Sequence, residues 1–267
     1  MGLERRMSPS QQHLFQNVLK TSKQRAELVL EKAALSDEQK AALAQAKERL
    51  EKSRIVVNLN FTEEVFDEPM VESLLKSKRV YNVFEIAHAE VTMNPTRLRL
   101  RTMLEFKVYG ATTNVQSILS GMSNTEHPNF GILDYFNDPI GISMLGTYGW
   151  YRFVLKKEIK WERSTFTPRD SVAVASSEVF TFEDIDAILA TRPISGGKYW
   201  FEYVNEADVP IDDRGRFHYI EAQILGGVFL ADDVDVLCYP DTDQFKHPFF
   251  ENLQRFSTEF HIELKPY

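Results

Sequence analysis

At Ser53 the chain changes its hydrophobic period, and that change constrains the fold more than any other feature of the sequence. Residues 8–53 read as helix, with Leu14, Val18 and Leu19, then Ala26, Leu28, Val29 and Leu30, forming an apolar stripe. Ser8-Pro9-Ser10 supplies a cap and a proline suited to a first turn. Ser36, with Gln39 three residues later, forms a second start, followed by Ala41, Leu43, Ala46 and Leu50 at helical spacing. Two helices, or one bent helix, therefore precede the rest. From residue 54 the pattern Arg-Ile-Val-Val-Asn-Leu-Asn-Phe is that of a strand.

Downstream, strands are expected at Val80–Ala87, Trp150–Leu155, Ser164–Thr167, Lys198–Val204, Phe217–Leu225, Asp232–Tyr239 and Glu259–Leu264. Short helices are expected at Pro69–Lys78, Thr181–Arg192 and His247–Phe256. Thr96–Tyr109 is arginine-rich, and residues 110–150 read as loops with short helices. No βαβ rhythm and no repeat is present. The predicted class is α+β: a helical N-terminal element over residues 1–53, then a mixed or antiparallel sheet domain over 54–267.

The strand Phe217–Leu225 follows a charged turn (Asp212-Asp213-Arg214-Gly215-Arg216) and breaks at Gly226-Gly227. Alternation puts Phe217, Tyr219, Glu221 and Gln223 on one face and His218, Ile220, Ala222 and Ile224 on the other. A carboxylate and an amide sharing a face with two aromatics suit a binding cleft. The plainer alternative is an edge strand whose Glu and Gln face water.

Several function classes are excluded. A net charge of −8 speaks against broad nucleic-acid binding, which needs a basic surface. The single cysteine, Cys238, allows neither an intramolecular disulfide nor a cysteine-built zinc site, and it fits a reducing compartment. The six histidines are scattered, so no metal site is expected. No apolar run reaches the roughly 18 residues of a membrane span, and no secretory leader core precedes the helices. The expected location is the cytoplasm, or a host cytoplasm reached without a cleaved signal. No P-loop, dinucleotide fingerprint or G-x-S-x-G elbow occurs.

Three features remain: Glu221 on its strand; the hydroxyl-rich run Ser164-Thr165-Phe166-Thr167-Pro168-Arg169-Asp170-Ser171; and arginines near strand ends, namely Arg79, Arg99, Arg101 and Arg152. Arginine, hydroxyls and one strand-borne Glu suit a phosphorylated nucleotide and a developing positive charge on a sugar. Paired carboxylates such as Glu85 and Glu221 are the alternative expected of a glycosidase, which needs them roughly 5–10 Å apart.

Over residues 55–264 the chain resembles a bacterial and fungal domain family of uncharacterised function, whose members carry a Tyr-Ile-Glu-Ala-Gln-x-His-Gly strand and a Thr-Phe-Thr-Phe-Gly-Asp-Ser segment. Here these stand as Tyr219-Ile220-Glu221-Ala222-Gln223-Ile224-Leu225-Gly226, with Leu225 in place of His, and Thr165-Phe166-Thr167-Pro168-Arg169-Asp170-Ser171. The family's Asn-Gln-Phe-Glu segment resembles Asn82-Val83-Phe84-Glu85, with Ala87 and Ala89 where Gly and Ser usually follow. That family is similar to divergent mono-ADP-ribosyltransferases, among them secreted effectors such as those of Legionella. The resemblance implies a split β-sheet core of ADP-ribosyltransferase type that grips NAD as substrate and modifies a target protein. It implies Glu221 as the catalytic carboxylate, and Thr165 and Thr167, with Ser164, as the hydroxyl element. Arg79, or in second place Arg152, would be the phosphate-facing arginine, with Asp170, Tyr219 and Gln223 as cleft neighbours. Arginine-modifying members often carry Glu or Gln where Tyr219 stands, so the acceptor residue stays open. A non-catalytic interaction module with a degenerate cleft is the alternative.

Overall fold

The computed structural model describes residues 7–89, 102–103, 105–106, 108–110, 113–136, 149–170, 176–192, 197–206, 219–242 and 247–267. Two helices open the chain, α1 (Pro9–Ala33) and α2 (Asp37–Lys52), each started by a capping box in which Ser8 or Ser36 exchanges hydrogen bonds with Gln11 or Gln39. β1 (Arg54–Leu59) follows, then the hairpin β2 (Glu64–Val65) and β3 (Glu68–Pro69), α3 (Met70–Ser77), β4 (Arg79–Val80) and α4 (Val83–Ala89). Next come α5 (Thr113–Gly121), β5 (Asn129–Asp134), β6 (Tyr151–Leu155), α6 (Ile159–Glu162), β7 (Ser164–Thr167), β8 (Phe180–Thr181), α7 (Ile185–Leu189) and α8 (Trp200–Asn205). The chain closes through β9 (Glu221–Ile224), β10 (Val228–Phe229), α9 (Leu230–Asp233), β11 (Val234–Tyr239), α10 (Phe250–Phe260) and β12 (Glu263–Pro266).

Eight strands form one sheet in the order β12-β11-β6-β1-β5-β9-β7-β8, antiparallel except for the β11–β12 pair. The α+β class stands. One face of the sheet carries the main core: Ile55, Leu133, Phe153, Phe166, Ala222 and Leu237 point into it, joined by Ala46 and Leu50 of α2. A second apolar cluster unites Leu14, Phe15 and Val18 of α1 with Tyr109, Leu119 and Leu225.

Four sequence expectations are corrected. Val80–Ala87 is a two-residue strand followed by a helix, because Asn82 Oδ1 accepts from the amides of Phe84 and Glu85 while Glu85 accepts from Asn82 N, a capping arrangement that stops the strand. Lys198–Val204 is mostly helix, entered where Glu202 accepts from Tyr199 N at 2.6 Å. Within residues 110–150, read as loops, lies the interior strand β5, whose Gly131 and Asn129 disguise it. The strand holding Glu221 is no wet edge: β9 lies between β5 and β7. Phe217, His218, Ser171, Arg99 and Arg101 lie outside the described residues.

Buried Lys160 fastens the N-terminal helices to the sheet. Its ammonium donates to Leu50 O, Glu51 O and Ser53 O, each at 2.7 Å, placing a cation at the partly negative C-terminal end of α2. Burial pushes this lysine down to about 8. Its folded value thus lies below its unfolded one, so between pH 8 and about 10.4 the unfolded chain holds more protons and stability rises with pH. Lys160→Met is expected to lose about 3 kcal/mol at neutral pH. In urea titrations the gap between wild type and variant should widen from pH 8 to 10, and a gap independent of pH would contradict the assignment.

Candidate functional site

The sheet parts in the middle. β1 pairs with β5 over Arg54–Val56 and Asp134–Ile132 only; beyond that, β1 stays with β6 to Leu59 while β5 stays with β9 to Asn129. A cavity of about 320 Å³ occupies the opening, with Val57–Asn60 on one wall and Asn129–Ile132 on the other. Met70 and Leu74 of α3 line its apolar end, and Tyr81 and Asn82 also line it. At the parting point the strands are in close contact, since a Cβ on Gly131 would lie 2.7 Å from Val56 O and 2.9 Å from Ile55 Cγ2.

Glu221 reaches this cavity from β9. Register aligns Val56, Ile132, Glu221 and Thr167 across four strands, and Phe130, Gln223 and Thr165 across three. Residues directly opposite share a face, so the hydroxyls of β7 and the amide and acid of β9 meet. Gln223 Nε2 donates to Glu221 Oε1 at 2.9 Å and to Thr167 Oγ1 at 3.2 Å, while Gln223 Oε1 accepts from Thr165 Oγ1 at 2.9 Å. Thr167 Oγ1 donates to Arg169 O at 2.8 Å. Glu221 is 7% exposed; Gln223, Thr165 and Thr167 are fully buried. Tyr219, also on the cavity wall, donates from its hydroxyl to Asp170 Oδ2 at 3.2 Å, tying the entry of β9 to the segment after β7.

The structure therefore brings together Glu221, Tyr219, Asp170, Gln223, Thr165 and Thr167, of which the first three line the cavity. Ser164 points elsewhere, donating to Ile159 O at 2.9 Å to fasten α6. Arg79 opens β4, which pairs with β10 in a two-stranded ribbon separate from the main sheet. Its guanidinium grips both oxygens of Glu85 and lies 5.1 Å from the Tyr81 ring. Glu85, occupied with Arg79 and Asn82 N, is not among the residues lining the cavity. Arg152 is buried on β6, opposite Asn58, with its guanidinium 5.0 Å from the Tyr267 ring.

Sequence reading missed Asn58, Asn60, Glu63 and Asn129 as cavity residues, since only the parting of β1 from β5 exposes them. It also missed a buried pair behind the site: His127 Nδ1 and Glu105 Oε2 are 2.6 Å apart, and the imidazole stacks on Phe84 with centroids 3.7 Å apart. Among the described residues no group of three or more His, Cys, Asp or Glu side chains is arranged to hold a metal, and no helix is long and apolar enough to cross a membrane.

No model of a known protein family matches the chain, and no curated protein matches it.

The parting point offers a direct test of the cleft. Gly131→Ala drives a methyl against Val56 O and is expected to cost about 1–3 kcal/mol in chemical denaturation. An unchanged midpoint would mean that β1 and β5 are farther apart than described.

Proposed function

We propose that the chain transfers ADP-ribose from NAD to a target protein, with Glu221 as its catalytic carboxylate. The observation that supports this reading is the placement of Glu221 at the wall of a cleft where a sheet parts, its carboxylate held from the neighbouring hydroxyl strand through Gln223. Nicotinamide leaves NAD as a neutral group, so bond cleavage needs little acid catalysis. What the step requires is a fixed negative charge beside the sugar carbon on which positive charge builds, and a held acceptor. A poorly hydrated wall makes that charge more effective than it would be in water.

At about 320 Å³ the cavity is at the small end for ligand sites and suits a nucleoside-sized part of the dinucleotide. The charged residues lining it, among those described, are Glu63, Asp170 and Glu221. In this reading the pyrophosphate therefore lies at the mouth. Arg79 is the arginine that serves it, because the next two residues, Val80 and Tyr81, line the cavity. A phosphate would take over the two-oxygen grip that Glu85 now provides. The acidic wall favours a cationic acceptor, which supports arginine as the modified side chain.

One observation favours the second reading, a non-catalytic interaction module: the closed Arg79–Glu85 pair beside an acidic cavity resists an anionic ligand.

Glu221→Gln and Glu221→Ala are expected to lower nicotinamide release and transfer of labelled ADP-ribose by about 10²–10³-fold while the fold survives, read by circular dichroism. Full activity in either variant defeats the catalytic assignment. Arg79→Ala should weaken NAD binding by roughly tenfold in calorimetry, whereas Arg152→Lys should leave it unchanged; the reverse pattern would transfer the phosphate role to Arg152. Absence of NAD binding and of nicotinamide release in the wild type would defeat the transferase reading and favour the second.

A further inference from the structure

Between Thr62 and Pro69 the chain reads Glu-Glu-Val-Phe-Asp-Glu, and it folds into the hairpin β2–β3 with Phe66 and Asp67 as the two turn residues. Both have positive φ, 57° and 61°. A two-residue turn of this kind takes Asn-Gly or Asp-Gly when the turn alone matters, because a bulky side chain at positive φ is strained. Phe66 stands at the first of these positions, and 43% of its surface is exposed. A single exposed apolar side chain is ordinary. One held where the backbone disfavours it argues for a use of the ring outside the turn.

The hairpin is anchored, and it lies beside the cavity. Val65 is buried, the Ser73 hydroxyl of α3 donates to Glu68 at 2.7 Å, and Met70 N donates to Glu63 O at 2.8 Å. The Phe66 ring meets Tyr81 edge to face with centroids 4.8 Å apart, and Tyr81 and Glu63 both line the cavity. Phe66 thus stands three residues, at most roughly 11 Å along the chain, from the cavity wall at Glu63. The surface around it is acidic. Glu68 is paired with Lys76, whereas Glu63, Glu64 and Asp67 are exposed and, among the described residues, have no ion pair or side-chain hydrogen bond. Such a tip repels an anionic nucleotide and draws a cationic chain. Arginine and lysine side chains also suit the face of an exposed aromatic ring.

We propose that the β2–β3 hairpin is the docking surface for the target protein, with Phe66 as its aromatic anchor and a basic segment of the target as its occupant. That segment runs along Glu64 and Asp67 and delivers its arginine past Glu63 into the cavity that Glu221 lines. The delivery of an arginine rests on the transferase reading; the docking of a basic segment rests on the hairpin alone. Aromatic side chains are enriched where protein interfaces are most fully buried, and a tip already fixed by its own fold loses little freedom on binding.

The test uses the full chain, with polyarginine as the probe and free agmatine as an acceptor too small to engage the hairpin and the cavity together. Phe66→Gly removes the ring and relieves the turn, so the variant is expected to keep its fold by circular dichroism. It should weaken polyarginine binding about tenfold in calorimetry and lower the preference for modifying polyarginine over agmatine by a similar factor. Glu64→Lys should also weaken polyarginine binding, by an amount that shrinks at high salt. Glu27→Lys, the same charge change at an exposed position of α1, which packs at the β8 end of the sheet, should alter binding by less than about twofold. Wild-type affinity in Phe66→Gly would overturn the proposal. So would equal losses in Glu27→Lys and Glu64→Lys, the result that a net charge of −8 would produce by itself. Weaker NAD binding in Phe66→Gly with polyarginine binding retained would overturn it in favour of a ring that stacks on the nucleotide. Should Phe66→Gly not fold, the comparison of Glu64→Lys with Glu27→Lys decides. A wild type that releases no nicotinamide but binds polyarginine through Phe66 defeats the transferase reading and leaves the docking surface standing; modification of agmatine without binding that depends on Phe66 does the reverse.

Discussion

The hydrogen bonding between β1 and β5 ends at Val56 and Ile132, and the candidate site depends on that limit. Each strand is committed on its other side, β1 to β6 and β5 to β9, so neither can swing across to close the gap. A strand bonded on one side presents alternate N–H and C=O groups on the other, and these need partners. The cleft is thus walled by β1 with its following residues and by β5, beside the apolar end made by Met70 and Leu74. Asn129 Nδ2 donates to Val80 O at 3.4 Å, linking β5 to the β4 segment that also lines the cavity.

Fixing Glu221 requires that β9 be held at both ends. At its entry, Tyr219 bonds Asp170. At its exit, Gly226 and Gly227 both adopt positive φ (82° and 72°), which turns the chain tightly after Leu225. Fully buried Arg163 seats that turn, donating to Leu225 O at 2.6 Å and to Gly227 O while pairing with Asp233 at 2.8 Å. A buried ion pair contributes little net stability against its desolvation. Its value here is geometric, because one planar guanidinium sets the separation of two carbonyls and one acid.

Much of this was legible in the sequence because the relevant signals are local. The helix starts at Ser8 and Ser36, the strand at residue 54 and the glycine pair after β9 each follow from a few neighbouring residues. The alternation of Tyr219, Glu221 and Gln223 against Ile220, Ala222 and Ile224 holds, with the second set in the main core. What failed depended on competition between local signals or on distant ones. Val80–Phe84 has strand propensity, but Asn82 and Glu85 form a cap that overrides it, and that spacing was readable. β5 was hidden because Gly131 looks like a loop residue until β1 is seen pressed against it. His127 meets Glu105 only through tertiary packing, so no spacing rule could find that pair.

The proton directions behind Glu221 are determined by a single backbone group. Thr167 gives its proton to Arg169 O, so toward Gln223 it can only accept. Gln223 must then face it with Nε2, which places Oε1 toward Thr165 and makes Thr165 the donor there. With the amide oriented this way, the remaining Nε2 proton goes to Glu221 Oε1. A flipped amide would set its oxygen against Glu221 Oε1 and against Thr167 Oγ1, whose proton is already given away, so the orientation is fixed by chemistry rather than by sterics. An uncharged donor orients a carboxylate without cancelling its charge, which the cationic partner of Glu85 does not allow. That difference separates the two acids considered in the sequence: Glu85 is committed to holding the start of α4, whereas Gln223 orients Glu221 and leaves its charge available to the cleft.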